Sequence, residues 1–133
     1  MTTFFISDMH FGDSSLTQSN QKVGGKIRRP FSDGKDMDAA ILQRWNEVVG
    51  DDDLVWVLGD LGSGFKTKLG QVKGRKNLVA GNDDSLDEAM RSGVFEKIKI
   101  AEWISGGSLL LSHIPLHSSA LGASFRNVHG HTH

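Results

Sequence analysis

The sequence contains no cysteine and no long apolar run, and neither acidic nor basic residues predominate in it. Without cysteine, the chain has no disulfide, no thiolate nucleophile and no cysteine-bound metal, so a metal would have to bind to His, Asp, Glu or Asn. No segment approaches the roughly 20 consecutive apolar residues of a membrane helix, and no basic leader precedes an apolar block. We therefore expect a cytoplasmic protein without a membrane partner.

The charge balance also limits the classes of partner. Fifteen basic and 16 acidic residues leave a net charge of −1, which argues against bulk electrostatic capture of nucleic acid. The 133 residues are 38% hydrophobic and include 16 glycines, a composition typical of soluble globular proteins. Length and composition together favour one domain spanning residues 1–133.

Short apolar runs alternate with helical patterns, which is typical of an α/β domain. Four continuous runs, at 4–6, 54–58, 78–80 and 109–111, indicate strands that are buried on both faces of a sheet. Helical spacing predicts helices over 36–49, with Asp36 as the N-terminal cap, over 65–72 and over 85–90. The alternating segment 94–104 and the following Gly106-Gly107 turn predict a hairpin in a mixed sheet. Residues 13–35 form a long polar segment, which predicts a functional or mobile loop.

Polar residues follow every predicted strand, and most of them are types that bind metals. The clusters contain Asp8 and His10, then Asp60, then Asn82, Asp83 and Asp84, then His113, and finally His131 and His133. Loops at the carboxyl ends of neighbouring strands converge on one crevice in open α/β sheets. Glycines before Asp60, Asn82 and His131 allow sharp turns toward that crevice. Carboxylate, amide and imidazole ligands suit Mn, Fe, Zn or Ni.

Taken in order, five segments resemble the signature of the calcineurin-like metallophosphoesterases: Asp8-x-His10, Gly59-Asp60, Gly81-Asn82-Asp83, His113 and Gly130-His131-x-His133. The resemblance covers nearly the whole chain and is closest to small bacterial and phage members. It implies a metallo-dependent phosphatase fold, a four-layer αββα sandwich of two mixed sheets flanked by helices. The chain is C-terminally short by that standard, because family members continue beyond the last histidine.

The resemblance also implies two divalent ions, with Mn expected first. Carried over by position, Asp8, His10 and His133 would hold one ion, Asn82, His113 and His131 the other, and Asp60 would bridge both. A metal-bridging hydroxide would then attack phosphorus. Two ionised aspartates leave the site cationic and attractive to phosphate. The expected catalytic residues are Asp60, Asn82 and Asp83, and the expected substrate contacts are Asn82 and Arg29.

Asp83 departs from the family pattern, which has a histidine here that is thought to protonate the departing oxygen. An aspartate with a pKa of about 4 is ionised at pH 7 and is a poor general acid. Its negative charge also disfavours dianionic monoesters more than monoanionic diesters. We therefore expect a phosphodiesterase acting on small phosphodiester or nucleotide substrates, including 2′,3′-cyclic nucleotides.

Two other functions remain open from the sequence. A non-catalytic metal-binding scaffold of the same fold would explain Asp83 and the abrupt end, although a scaffold has no need for a full set of ligands. A nuclease acting on longer nucleic acid would use the five cations between residues 66 and 76. The sequence also leaves two roles for Asp84, which either caps the following helix or holds a neighbouring residue in place.

Overall fold

The computed structural model describes residues 1–18, 29–122 and 126–132, and its first part forms a parallel sheet. The four strands are β1 (Thr3–Ile6), β2 (Leu54–Val57), β3 (Arg75–Val79) and β4 (Lys97–Lys99). They pair in chain order, and every pair is parallel. Parallel neighbours need crossover connections, which contain the helices α1 (Gly34–Val48), α2 (Phe65–Leu69) and α3 (Leu86–Ser92).

A second, smaller sheet follows from the later part of the chain. It consists of β5 (Ala101–Ile104), β6 (Leu109–Ser112) and β7 (Arg126–Val128). The strand β6 pairs antiparallel with β5 and parallel with β7, so this sheet is mixed. Short 3₁₀ turns lie at Ser14–Leu16, Ser105–Gly107 and Ser118–Ala120. The predicted α/β class and the hairpin of β5 and β6 are confirmed.

The alternating segment 94–104 divides between the two sheets, which the sequence analysis did not foresee. Its first half is β4, which pairs with β3, and its second half is β5, which pairs with β6. Only Ile100 separates the two strands. An alternating pattern records which faces are buried, and it does not record which neighbour a strand pairs with.

Side chains cap the N-termini of α1 and α3. Asp33, not Asp36, caps α1, because its side chain accepts a hydrogen bond from the Asp36 N–H at 2.8 Å. The prediction of Asp36 as the cap was therefore wrong by three residues. Ser85 caps α3 by accepting from the Glu88 N–H, and α2 ends at Gly70, earlier than predicted.

The two faces of the parallel sheet pack against different layers. On one face, Val57 and Leu78 pack with residues of all three helices, such as Trp45 of α1. On the other face, Trp56 and Val79 pack against Leu111 of the mixed sheet. This alternation follows from the two-residue period of a strand.

The expected four layers of two mixed sheets are corrected by this arrangement. The first sheet is parallel throughout, because its strands are joined by helical crossovers. Within residues 1–18, 29–122 and 126–132, the three α-helices all contribute to the core on one face of that sheet. The described chain therefore has three layers, namely helices, parallel sheet and mixed sheet. No helix in this part of the chain is long and apolar enough to cross a membrane.

Leu111 tests the packing between the two sheets. The side chain is fully buried, so Leu111→Ala should lower the free energy of unfolding by about 2 to 5 kcal/mol through lost burial and a residual cavity. Val48→Ala is the control, because Val48 is 63% exposed and should change stability by no more than about 0.5 kcal/mol. Urea unfolding of both variants measures the difference, and equal midpoints would contradict the assigned inter-sheet core.

Candidate metal centre

Two groups of carboxylate and imidazole side chains meet at the carboxyl ends of the strands. The first group comprises Asp8, His10 and Asp60, and the second comprises Asp60, His113 and His131. Within each group, one ligand atom from each residue lies within 4.8 Å of the others. Asp60 belongs to both groups, so the two candidate metal positions share one carboxylate.

The distances between donor atoms are those of side chains that face a common point. His113 Nε2 lies 3.3 Å from Asp60 Oδ2 and 3.2 Å from His131 Nδ1. His10 Nε2 lies 3.5 Å from Asp60 Oδ2 and 3.7 Å from Asp8 Oδ1. Two donors on one tetrahedral ion with bonds of about 2.1 Å are about 3.4 Å apart. Both groups therefore have a spacing compatible with a divalent ion.

The backbone is unusual at the same residues. Among the described residues, five that are not glycine have positive φ, and four of them belong to the two groups. The φ values are 54° at Asp8, 48° at His10, 54° at Asp60 and 69° at His131. Left-handed backbone costs energy in residues with a Cβ, and such strain is found preferentially at functional sites. These turns direct side chains from three separate loops toward one point.

Three glycines leave the space that these side chains occupy. A Cβ on Gly59 would lie 2.6 Å from His113 Nδ1, and a Cβ on Gly81 or Gly130 would overlap a carboxylate oxygen of Asp60 or Asp8. Of the three, only Gly59 has positive φ, at 93°. Sharp turns were the expected reason for these glycines, whereas at Gly81 and Gly130 the reason is the close approach of a carboxylate.

His113 is held in one orientation and one tautomer. Its ring is buried, and Nδ1 lies 2.7 Å from the Leu58 carbonyl oxygen. Because a carbonyl can only accept, Nδ1 carries a proton, which leaves Nε2, 3.3 Å from Asp60 Oδ2, as the nitrogen that can bind a metal ion. A metal-binding histidine is commonly oriented by such a contact to its other nitrogen.

Asp8 and Asp60 place two carboxylates in a buried position, with only 7% and 2% of each residue exposed. Asp8 Oδ2 accepts from the His131 N–H at 2.8 Å, and Asp60 Oδ1 accepts from the Asp83 N–H at 3.2 Å. A buried carboxylate requires hydrogen bonds and a positive neighbour to remain ionised. Two carboxylates with three imidazoles form a donor set suited to first-row divalent ions, so the residues present fit the implied metals.

Asp84 holds together two of the loops that carry the site. Its carboxylate accepts three backbone hydrogen bonds, from the N–H groups of Asp60 (2.8 Å), Leu61 (2.8 Å) and Gly81 (2.7 Å). The loop after β2 is thereby joined to the loop after β3. Since Ser85 caps the following helix, the structure resolves the open question about Asp84 in favour of positioning.

Arg29 lies against the loop that carries Asp8 and His10. Its guanidinium donates to the backbone carbonyls of Asp8 and Met9 and contacts the sulfur of Met37. Burial lowers the pKa of this guanidinium, and the negative charges of Asp8 and Asp13 oppose that shift. Its contacts support the loop that carries Asp8 and His10, and its role as a substrate contact stays a prediction.

The remaining expected site residues lie at the rim or beyond the described chain. Asn82 is exposed and shares the lining of a cleft with His113. Asp83 is also exposed, and its backbone N–H donates the hydrogen bond to Asp60 that is given above. His133 lies outside the described residues, so its expected role as a ligand stays a prediction.

Asp84→Asn tests the positioning role. The substitution keeps the size of the side chain but turns one acceptor into a donor, which then faces backbone N–H groups. We expect a loss of about 1.5 to 3 kcal/mol in the free energy of unfolding and, by titration, Mn²⁺ affinity at least about tenfold weaker.

Asp87→Asn is the matched control for this substitution. Asp87 lies on α3 and forms an exposed ion pair with Arg91 at 3.1 Å, so its loss should change stability by less than about 1 kcal/mol. Calorimetric titration with Mn²⁺ and urea unfolding measure both variants. If Asp84→Asn behaved like Asp87→Asn in both measurements, the positioning role would be wrong.

Comparison with known proteins identifies relatives over nearly the whole chain. No family model matches the sequence. The Gene 66 protein of Mycobacterium phage L5 is 32% identical over an alignment 168 residues long. The alignment covers 98% of this chain and 77% of the phage protein. The uncharacterised protein MJ1445 of Methanocaldococcus jannaschii is 29% identical, over 98% of this chain and 68% of that protein.

A solved structure has the same fold. The crystal structure of AQ665 from Aquifex aeolicus, a protein of unknown function, aligns with a TM-score of 0.63 and 28% sequence identity. The alignment covers 85% of this chain, which spans 60% of the Aquifex chain. The identity to the phage protein extends over nearly all of this chain and most of the phage protein. The chain therefore belongs to the same family as the Gene 66 protein of Mycobacterium phage L5.

Proposed function

We propose that this protein is a metal-dependent phosphoesterase that binds two divalent ions and hydrolyses phosphodiesters. The observation that carries the proposal is the carboxylate of Asp60, which is buried and common to both Asp/His groups. A carboxylate shared by two sets of ligands is the arrangement expected for a pair of neighbouring ions. The resemblance of the five sequence segments to the calcineurin-like metallophosphoesterases supports the same reading.

The described residues divide between the two ions in a definite way. Asp8 and His10 would hold one ion, His113 and His131 would hold the other, and Asp60 would contact both. The sequence adds His133 to the first set and Asn82 to the second. When bound, two divalent ions supply a hydroxide nucleophile at neutral pH and stabilise negative charge on the phosphate. Mn²⁺ is the first ion to test.

The protein's own residues position this chemistry and do not carry the nucleophile. The Leu58 carbonyl orients His113, and Asp84 holds the backbone of Asp60. Asn82 lies exposed at the rim, where its amide can donate to a phosphate oxygen. The exposed carboxylate of Asp83 adds negative charge beside the phosphate, which favours monoanionic diesters over dianionic monoesters.

The nuclease alternative has less support once the contacts of the basic segment are known. Lys68 pairs with Asp38, and Arg75 pairs with Glu96. The amino group of Lys76 is directed inward, toward the carbonyls of Val72 and Gly74. Three of the five cations are therefore engaged within the molecule, which leaves little of the segment for a nucleic-acid backbone.

Metal titration tests the binding part of the proposal. Metal-free protein titrated with Mn²⁺ should bind two ions, and Asp60→Asn should weaken both sites by at least about tenfold, because both share this ligand. Asp87→Asn serves again as the control and should bind as the wild type does. Unchanged affinity in Asp60→Asn would exclude Asp60 as a ligand.

Substrate preference tests the catalytic part. With Mn²⁺ bound, kcat/KM should be higher for bis(p-nitrophenyl) phosphate than for p-nitrophenyl phosphate, because Asp83 repels the dianion. A preference for the monoester would overturn the assignment as a diesterase. Two bound ions without turnover of either ester would favour the non-catalytic scaffold.

Asp83→His tests the protonation of the leaving group. A histidine titrates near neutral pH and can donate a proton, which contributes about 10²-fold or more when the leaving group is basic. We expect a gain of about that size in kcat for phenyl esters and little gain for p-nitrophenyl esters, whose leaving group needs no proton. Equal gains for both ester types would contradict this role of the position.

A further inference from the structure

An apolar cleft of about 410 Å³ adjoins the candidate metal centre. Asn82 and His113 line its polar side, so the cleft opens directly onto residues of the proposed site. Six of the other lining residues are apolar, and Gly81, Asp84 and Ser112 complete the lining; the apolar residues are Ala80, Leu86, Ile100, Ala101, Ile114 and Leu116. Ligand sites typically combine such an apolar wall with a few convergent polar groups.

The apolar side chains of this cleft are unusually exposed. Ile100 is 69% exposed, Ile114 48% and Leu86 40%. In the part of the chain that the structure describes, eight large hydrophobic residues are exposed, and three of them border this one cleft. Clustered exposed apolar area, unlike scattered apolar residues, marks a surface that binds something.

The chain topology explains why the cleft lies beside the metal centre. The strand β4 ends at Lys99, and the chain crosses to the second sheet at Ile100. Ala101 opens β5 and pairs with Ser112, the last residue of β6. The crossover is therefore placed at the carboxyl end of β6, next to His113, and Ile114 continues from that histidine. Ile114 therefore lies on the same turn as His113, and Ile100 lies on the neighbouring crossover.

A second cleft, which Asp83 borders, has a different character. Its volume is about 540 Å³, and its lining includes Lys66, Glu88 and Arg91. Burying an apolar ring against these charged groups would remove their water without replacing it. The cleft bordered by Ile100 and Ile114 has one charged residue in its lining, Asp84, whose carboxylate already accepts three backbone hydrogen bonds. Of the two clefts, it is therefore the more suitable place for an apolar group.

We propose that the cleft bordered by Ile100 and Ile114 binds a flat apolar group, an aromatic ring or a nucleobase, that is linked to the phosphate at the metal centre. This inference rests on the proposed function, because the metal centre has to hold the phosphate. An aromatic group offers a large apolar area with few rotatable bonds, so its burial between isoleucine side chains favours binding.

Binding of phosphonates to the Mn²⁺-loaded protein tests this inference without turnover, because their P–C bond is not hydrolysed. The probes are methylphosphonate, phenylphosphonate and the phosphonate analogue of adenosine monophosphate. We expect calorimetry to give a Kd at least about tenfold lower for one or both of the larger probes than for methylphosphonate. The stronger of the two identifies the group as an aryl ring or a nucleobase.

Ile100→Ser and Ile114→Ser should reduce that advantage to less than threefold. Both side chains are exposed, so the substitutions should leave the fold and the Mn²⁺ affinity unchanged. Met90→Ser is the control, because Met90 is 64% exposed on α3 and does not line the cleft. It removes similar apolar area and should keep the wild-type preference.

The outcomes separate this inference from the function on which it rests. If Mn²⁺ binds and all three phosphonates bind equally, or if the isoleucine variants keep the full preference, the cleft is not the site and the proposed function stands. If Mn²⁺ does not bind at all, the proposed function is wrong and this inference falls with it. Loss of the preference in the isoleucine variants alone supports the inference.

Discussion

Burial of the Asp60 carboxylate is the constraint on which the arrangement of the whole carboxyl edge depends. Removing a carboxylate from water costs several kcal/mol unless hydrogen-bond donors and positive charge replace the water. The Asp83 N–H donates to this carboxylate, Gly81 leaves the space for it, and the Nε2 atoms of His10 and His113 lie 3.5 and 3.3 Å from it. The loops that carry these groups therefore have to lie close together around Asp60.

Much of the fold was predictable, because continuous apolar runs and helical spacing record burial directly. The exceptions have physical causes. The strand β3 begins at Arg75, before the apolar run, and its buried Lys76 extends an amino group to two carbonyls. The parallel arrangement of the first sheet and the change of sheet at Ile100 depend on which strands pair. A local sequence pattern does not determine the pairing partner of a strand.

The sequence predicted the Asp and His residues that meet at the candidate site, and it predicted the contacts that support them less well. Side-chain type and order were enough to select Asp8, His10, Asp60, His113 and His131, which the structure brings together. Asp84 and Arg29 act through backbone N–H and carbonyl groups, which every residue possesses. The sequence therefore left two roles open for Asp84 and indicated only a substrate contact for Arg29. Left-handed backbone at an aspartate or histidine is also difficult to predict, because these residues adopt it more often than most but still in a minority of cases.

The four left-handed residues of the site have a further consequence for the evolution of this fold. At roughly 1 kcal/mol each, their strain is a large share of the 5 to 15 kcal/mol that a typical domain has available. Glycine would relax each turn but would delete the side chain that requires it. Selection for greater stability can therefore act on the helices and the sheet cores, whereas the carboxyl edge has to remain strained for as long as its side chains are needed.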